Sequence, residues 1–479
     1  MATTRRVPLV LFLIADTGGG HRSAANAIRS AMDLLAPESF ATERPASLAQ
    51  IDTSKLPFSP HELLPTNWGG ATRPWRAEIR DIFEECGLFP LRRTARLYGP
   101  TVEKSPAVYS SFYHVTNTRP AYAALSVFTQ SMLSRGLMRL FEEQRPDVIV
   151  SVHPLLTHAT LNLMGMMGVR VPFITVVTDL IRFHRAWAEP DVDVCSVPTE
   201  EARQLVIELG MDPAKIRLLG MPIHPKFSLS STDSAESRCE LGLAPERFTV
   251  LMVGGGDGIG GLGEAAITLA ASNLPIQLIV VTGRNRALYH ELTEILPTLK
   301  TPMKVLGFVN NMPDLMRAAD VIVTKAGPGT IMEALSRGLP IILTSAIPGQ
   351  EVSNISFVEE NQVGELARTP EAIVDAVQRI VALSPAEREE MSARARALSK
   401  PEASFDIAQL ILSYVPTARS ISAWNQTPRL PVYYVARRPR RHGKRRSEVL
   451  RRTLPASRTL LLRKLPFFAS STKRRRIDR

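Results

Sequence analysis

The sequence predicts an α/β protein of two Rossmann-like domains followed by a basic tail. Three observations carry this. Short apolar runs alternate with turns and helix-period segments in two separate series, each series opens on a buried run ending in a glycine cluster (Gly18 to Gly20, Gly254 to Gly256), and a polar stretch, SLSSTDSAESR, divides them. Buried parallel strands read as continuous apolar runs, and their connections are helical crossovers.

The first series begins with VPLVLFLIAD, then the glycine turn, then a helix with Ala24, Ala25, Ile28, Met32 and Leu35 near helical spacing. From Leu56 to Trp75 no period is visible, so an irregular loop is expected, followed by mixed helical pattern through Phe141. The strands PDVIVSVHP, VPFITVVTD, VDVCSVP and KIRLLGMP come next, each with polar residues just past its C-terminal end. FTVLMVGGGDG opens the second series, which continues through PIQLIVVTGRN, KVLGFV, ADVIVTKAGPGT and GLPIILTSAIPGQE, and a helix at Glu402 to Tyr414 closes the folded part. The expected units are an N-terminal domain over 1–225, a C-terminal domain over 226–400, a closing helix over 401–415, and a largely disordered tail over 416–479.

Composition supports a folded globular body, with 44% apolar and 22% charged residues. No run reaches the roughly 20 apolar residues needed to cross a bilayer. Two arginines before an apolar run imitate a secretory signal at the N-terminus, but that run leads straight into the glycine turn of a first strand. Cys86, Cys195 and Cys239 have neither metal nor CxxC spacing and cannot all pair, which points to a reducing compartment. Thr417 to Arg479 holds 19 Lys and Arg against 2 Asp and Glu, a net +17, which leaves the preceding 416 residues at −5 of the chain's +12. The basicity belongs to the tail.

Glycine after a buried strand lets a ligand approach the backbone, and the helix that follows offers amides to an anion. Lys325-Ala326-Gly327-Pro328-Gly329-Thr330 is a third turn of this kind, with Glu333 expected on the opening turn of the next helix, placed for dipole stabilisation or for ribose hydroxyls. Gln350 and Glu351 sit on a loop and suit sugar hydroxyls. Neither paired glycine turn completes a GxGxxG fingerprint and no GxxxxGK[ST] occurs, which disfavours a dinucleotide oxidoreductase.

In order and spacing, DTGGGHRSAANAI, PDVIVSVHPLLTH, VVTDL followed by His184 and Trp187, GMPIHPKF, MVGGGDG, GRN, GFVNNM, KAGPGTIMEALSRGLPIIL, IPGQE and KPEASF closely resemble the monogalactosyldiacylglycerol synthase family, from about Leu11 to about Tyr414. The pattern is shared more loosely with processive diacylglycerol glucosyltransferases and the N-acetylglucosaminyltransferase of peptidoglycan synthesis. The resemblance implies a GT-B fold, with the acceptor held by the N-terminal half and the nucleotide by the C-terminal half, and an inverting hexosyltransferase that moves galactose or glucose from a UDP-sugar to diacylglycerol in the cleft between the two domains. It puts Phe308 and Val309 against the uracil, Glu333 on the ribose, Gly255, Gly256, Gly327, Gly329 and Thr330 at the diphosphate, and Gln350 with Glu351 on the sugar. Lys325 then neutralises diphosphate charge, with no metal or other cofactor expected because no DxD-like pair is present.

An alcohol acceptor needs a base, and His21 at the tip of the first glycine turn is the candidate, with Asp179 either a competing base or the group that orients one. His153 and His184 carry less weight, as capping or supporting residues. On the acceptor side stand Gly19, Gly20, Trp68 and Trp75, the last two in a region that also holds Phe83, Phe89 and Tyr98 beside Arg73, Arg76, Arg92, Arg93 and Arg96. Such a mixture suits peripheral attachment to anionic lipid on a cytoplasmic face, or equally a packed helical insert. The tail reads first as a solvated appendage, then as membrane attachment, and last as nucleic-acid contact. A different class, a nucleotide-sugar-binding regulator without catalysis, is argued against by intact His21, Glu333, Gln350 and Glu351.

Overall fold

A computed structural model of the chain describes residues 7–17, 19–36, 48, 75–93, 105–229, 233–254 and 261–415. Trp68, Gly255, Gly256 and the tail beyond Val415 lie outside the described residues, as do Arg73, Arg96 and Tyr98. Two six-stranded sheets, parallel throughout, make up the described chain.

The first sheet holds β1 (Leu9–Ile14), β2 (Arg76–Asp81), β3 (Val148–Ser151), β4 (Phe173–Val176), β5 (Val194–Val197) and β6 (Ile216–Leu218), in the order β2-β1-β3-β4-β5-β6. The second holds β7 (Phe248–Val253), β8 (Ile276–Val281), β9 (Met303–Leu306), β10 (Val321–Thr324), β11 (Ile341–Leu343) and β12 (Gly364–Leu366), in the order β12-β11-β10-β7-β8-β9. Strand order therefore reverses between β1 and β3 in one sheet and between β7 and β10 in the other. A crevice opens beyond the strand C-termini at each reversal, because the two neighbouring crossovers leave to opposite faces.

The inner strands are buried on both faces. Alternate residues of β1 divide between two cores: Leu11 and Leu13 face the cluster built with Leu133, Phe141 and Leu156, while Val10, Phe12 and Ile14 face Ala24, Ile28 and Met32 of the helix Gly20–Leu35. The helix Ala403–Ser413 joins this second cluster through Phe405, Ile407, Ala408, Ile411 and Leu412, so the last described helix completes the core of the first half. Leu180, Met221, Ile223 and Phe227 pack in turn into the core of the second half, and the Arg182 amide donates to Ser353 Oγ at 3.3 Å. The halves are thus joined next to the end of β4.

Two expectations are corrected here. The segment Arg76–Asp81, expected in helical pattern, is an edge strand whose register on β1 runs from Leu9 against Arg76 to Ile14 against Asp81. With one ladder neighbour and a half-exposed surface it tolerates the charges of RAEIRD that a central strand would not. Trp75, expected on the membrane side, is only 2% exposed and lies in the core cluster of Val10, Phe12 and Ile14. Phe83 is buried as well, whereas Phe89 is exposed with Arg93 stacked over its ring. Burial leaves Trp75 and Phe83 no face for a bilayer.

Candidate active site

At the first reversal, the chain leaves β1 and reaches Gly19 with φ +82 and ψ −18, the left-handed conformation that starts the helix at Gly20. A Cβ at Gly19 would meet nothing within 4 Å, so the glycine is required by its backbone and not by crowding. Gly19→Ala is expected to cost about 1–2 kcal/mol of stability through strain alone, readable in a denaturant titration. Asp81, at the end of β2, braces the turn: its Oδ2 accepts from the Asp16 amide at 3.0 Å and its Oδ1 from the Glu84 amide at 3.1 Å. Arg22 ties the same corner by donating to Asp16 Oδ2 at 2.8 Å.

His21, the next ring beyond that turn, is half-buried among aromatic groups. Its ring centroid lies 4.7 Å from that of His153 and 6.1 Å from that of Trp187, and its Nδ1 is 3.2 Å from Thr178 Oγ1. Burial lowers its pKa to about 4, against the opposing pull of the Val152 main chain and Asp16. The imidazole is therefore neutral near pH 7 and able to accept a proton. His153 is held well below its ordinary value by burial and by the His21 ring. It is a cap, with Nδ1 accepting from the Leu155 amide at 3.3 Å. His184 caps in the same way, taking the Ala186 amide at 3.2 Å, and its Nε2 lies 3.3 Å from Thr116 Oγ1.

Asp179, just past β4, is buried, which raises its pKa to about 6 despite two hydrogen bonds. Trp187 Nε1 donates to its Oδ2 at 2.7 Å, and Gln350 Nε2 donates to its Oδ1 at 3.4 Å. Gln350 belongs to the opposite half. The carboxylate is thus a bridge between the two sheets' loops.

At the second reversal, Gly327 precedes the helix Pro328–Ser336, whose Pro at N1 forfeits no needed donor. That start puts Glu333 on the second turn, not the opening one as expected, because the helix begins three residues before Ile331. Burial alone raises the Glu333 pKa to about 7. A Cβ on Gly329 would meet nothing within 4 Å, so the helix N-terminus faces open space there, next to half-buried Thr330. Lys325 Nζ donates to Glu351 Oε1 at 2.6 Å, and Glu351 Oε2 accepts from the Ile347 amide at 3.0 Å. Glu351 is 3% exposed, so of the adjacent pair it is Gln350, half-buried, that reaches the opposite half.

Phe308, past β9, is 63% exposed and lines a cavity of about 710 Å³ with Arg284, Arg286, Tyr289 and His290. Val309 instead packs against the core of the second half. His21 and Gly20 thus stand at one reversal and Lys325, Gly327, Gly329 and Thr330 at the other, with Asp179 and Gln350 joining the halves. Sequence reasoning missed Asp81, Thr178 and Tyr109. Each acts through a partner far along the chain, which residue type and local spacing do not reveal.

Two family models match separate parts of the chain. Residues 72–223 fit the family model described as monogalactosyldiacylglycerol (MGDG) synthase, and residues 249–407 fit the glycosyltransferase family 28 C-terminal domain. The chain is 35% identical over 434 residues to monogalactosyldiacylglycerol synthase 3, chloroplastic, of Arabidopsis thaliana, covering 88% of this chain and 84% of that one. It is 34% identical to the probable monogalactosyldiacylglycerol synthase 2, chloroplastic, of Oryza sativa subsp. indica, over 84% of this chain and 79% of that one. Among solved structures, the glycotransferase of kitacinnamycin superposes with a TM-score of 0.51 at 16% identity, covering 86% of this chain and 100% of that one, which supports the GT-B architecture.

Proposed function

Because the chain belongs to the monogalactosyldiacylglycerol synthase family and is a glycosyltransferase of that type, we propose that it transfers galactose from UDP-galactose to the free hydroxyl of 1,2-diacylglycerol, with inversion at the anomeric carbon. One observation carries the reading: a neutral imidazole at one sheet's reversal and a lysine-flanked glycine turn opening a helix at the other's. In this reaction His21 takes the proton of the acceptor hydroxyl as its oxygen attacks the anomeric carbon. The bond from that carbon to the UDP oxygen breaks, and the departing diphosphate is received by Lys325 and the amides ahead of Ile331. Phe308 offers a ring face to the base, and the Glu333 carboxylate accepts from the ribose hydroxyls.

The test is direct. Vesicles containing diacylglycerol, incubated with radiolabelled UDP-galactose or UDP-glucose, should yield a β-linked galactolipid from the first, and a product from UDP-glucose alone refutes the choice of donor. An α-linked product refutes inversion, and donor binding without glycolipid refutes the activity.

Burial makes the acceptor role of Glu333 pH-dependent. A carboxyl that titrates at about 7 is half protonated there, and its protonated form keeps one acceptor oxygen for the two ribose hydroxyls instead of two charged ones. The KM for the UDP-sugar is expected to fall as pH rises from about 6 to about 8, and Glu333→Gln should raise KM and remove that slope. An unchanged slope in the variant assigns the titration elsewhere.

No helix among the described residues is long and apolar enough to cross a membrane. The helix Pro106–Thr116 exposes Val108, Phe112 and Val115, the helix Arg119–Gln144 exposes Val127 and Phe128, and Phe89 adjoins Arg92 and Arg93. We assign this apolar surface to peripheral contact with a bilayer bearing anionic lipid, where the acceptor resides.

A further inference from the structure

The helix Pro106–Thr116 belongs to the first half, yet it holds a loop of the second. Tyr109 donates its hydroxyl proton to Gln350 Oε1 at 2.8 Å, and Gln350 Nε2 donates to Asp179 Oδ1 at 3.4 Å, with Asp179 fixed in turn by Trp187 Nε1. Gly349, with φ +85, lies under Tyr113: a Cβ there would come within 3.0 Å of Tyr113 Cδ1. A carboxamide has a donor end and an acceptor end of nearly equal shape, so only its partners decide which way round it faces. Here a carboxylate, which accepts, takes the amino end, and a phenol, which donates, takes the carbonyl end. Neighbouring Glu351 has both oxygens committed to Lys325 and the Ile347 amide.

We propose that Tyr109 is a positioning residue that fixes the orientation of the Gln350 carboxamide and so sets the discrimination between C4 epimers of the donor hexose. The inference rests on the glycosyltransferase reading above and on Gln350 contacting the donor hexose, as the family resemblance implies. Galactose and glucose differ only in the direction of one hydroxyl, and a directional hydrogen-bonding group rejects the wrong epimer by being left without a partner. Without the phenol the carboxamide is held at its amino end alone, by the 3.4 Å bond to Asp179, and its carbonyl end can swing to meet either hydroxyl.

The experiment compares kcat/KM for UDP-galactose and UDP-glucose, with diacylglycerol vesicles, in the wild type and in Tyr109→Phe, which keeps the ring. Losing one neutral hydrogen bond is expected to shrink the ratio for preferred over disfavoured donor about fivefold, carried in KM and not in kcat. In a Gln350→Ala background the same change should have no further effect. A ratio unmoved by Tyr109→Phe in an active enzyme overturns the inference alone, as does an equal loss in both backgrounds. A wild type that makes no glycolipid from either donor overturns the glycosyltransferase reading, and this inference falls with it.

Discussion

His21→Ala is expected to lower the transfer rate by about 10²–10⁴-fold, the usual contribution of a positioned general base, while leaving the KM for the donor nearly unchanged. The argument is one of protonation state and place. A half-buried ring titrating at about 4 is available as a base throughout the neutral range, and it stands where the first sheet's strand order reverses. Asp179 is the rival. Its oxygens accept from Trp187 and Gln350, and its pKa of about 6 makes it the stronger base once ionised, so Asp179→Asn separates the two readings. If His21 is the base, the asparagine variant keeps a His21-dependent rate and loses donor affinity through Gln350. A collapse of kcat in Asp179→Asn with only a mild effect of His21→Ala would exchange their roles. The pH profile gives a second check: kcat at saturating donor should decline as acid protonates His21 near pH 4, because the charged ring no longer accepts a proton.

The second large effect is expected at Lys325. Removing one preorganised charge from a leaving-group site costs about 10²–10³-fold in kcat, and Lys325→Ala should lose that much. The same change strands the buried Glu351 carboxylate, which keeps the hydrogen bond from the Ile347 amide but loses its cation. Breaking a buried ion pair is destabilising because a desolvated charge is left behind, and with Lys325 itself 31% exposed the cost is about 2 kcal/mol, below the range for fully buried pairs. Adding Glu351→Gln should restore stability without restoring activity. Recovery of both together would show that Lys325 acts only by supporting the loop.

The two-sheet architecture was legible because its determinants are local: apolar strands, glycine at their ends, and helical spacing between them. The candidate site residues were legible for the same reason, since strand C-termini at a reversal of strand order gather residues that lie just beyond apolar runs, as His21, Asp179 and Lys325 do. What was not legible depends on distant partners. RAEIRD resembles exposed helix until β1 is known to pair with it, and Trp75 resembles an interfacial anchor until Val10 and Phe12 are seen against it. Tyr109 meets Gln350 across 241 positions, and nothing in either neighbourhood announces the other. Glu333 was displaced by one turn because Pro328 begins the helix earlier than the apolar spacing suggests.

The helix Ala403–Ser413 gives the fold a temporal constraint. Its apolar residues fill the first half's core beside a helix that begins at Gly20. During synthesis the first half therefore emerges with one wall of its interior missing, and that wall arrives only after the whole second half has been made. The second half, whose strands run from Phe248 to Leu366, has its sheet in hand before then. On the ribosome the order of completion is the reverse of the order of translation, and a chain stopped near Lys400 leaves its earliest residues unfinished.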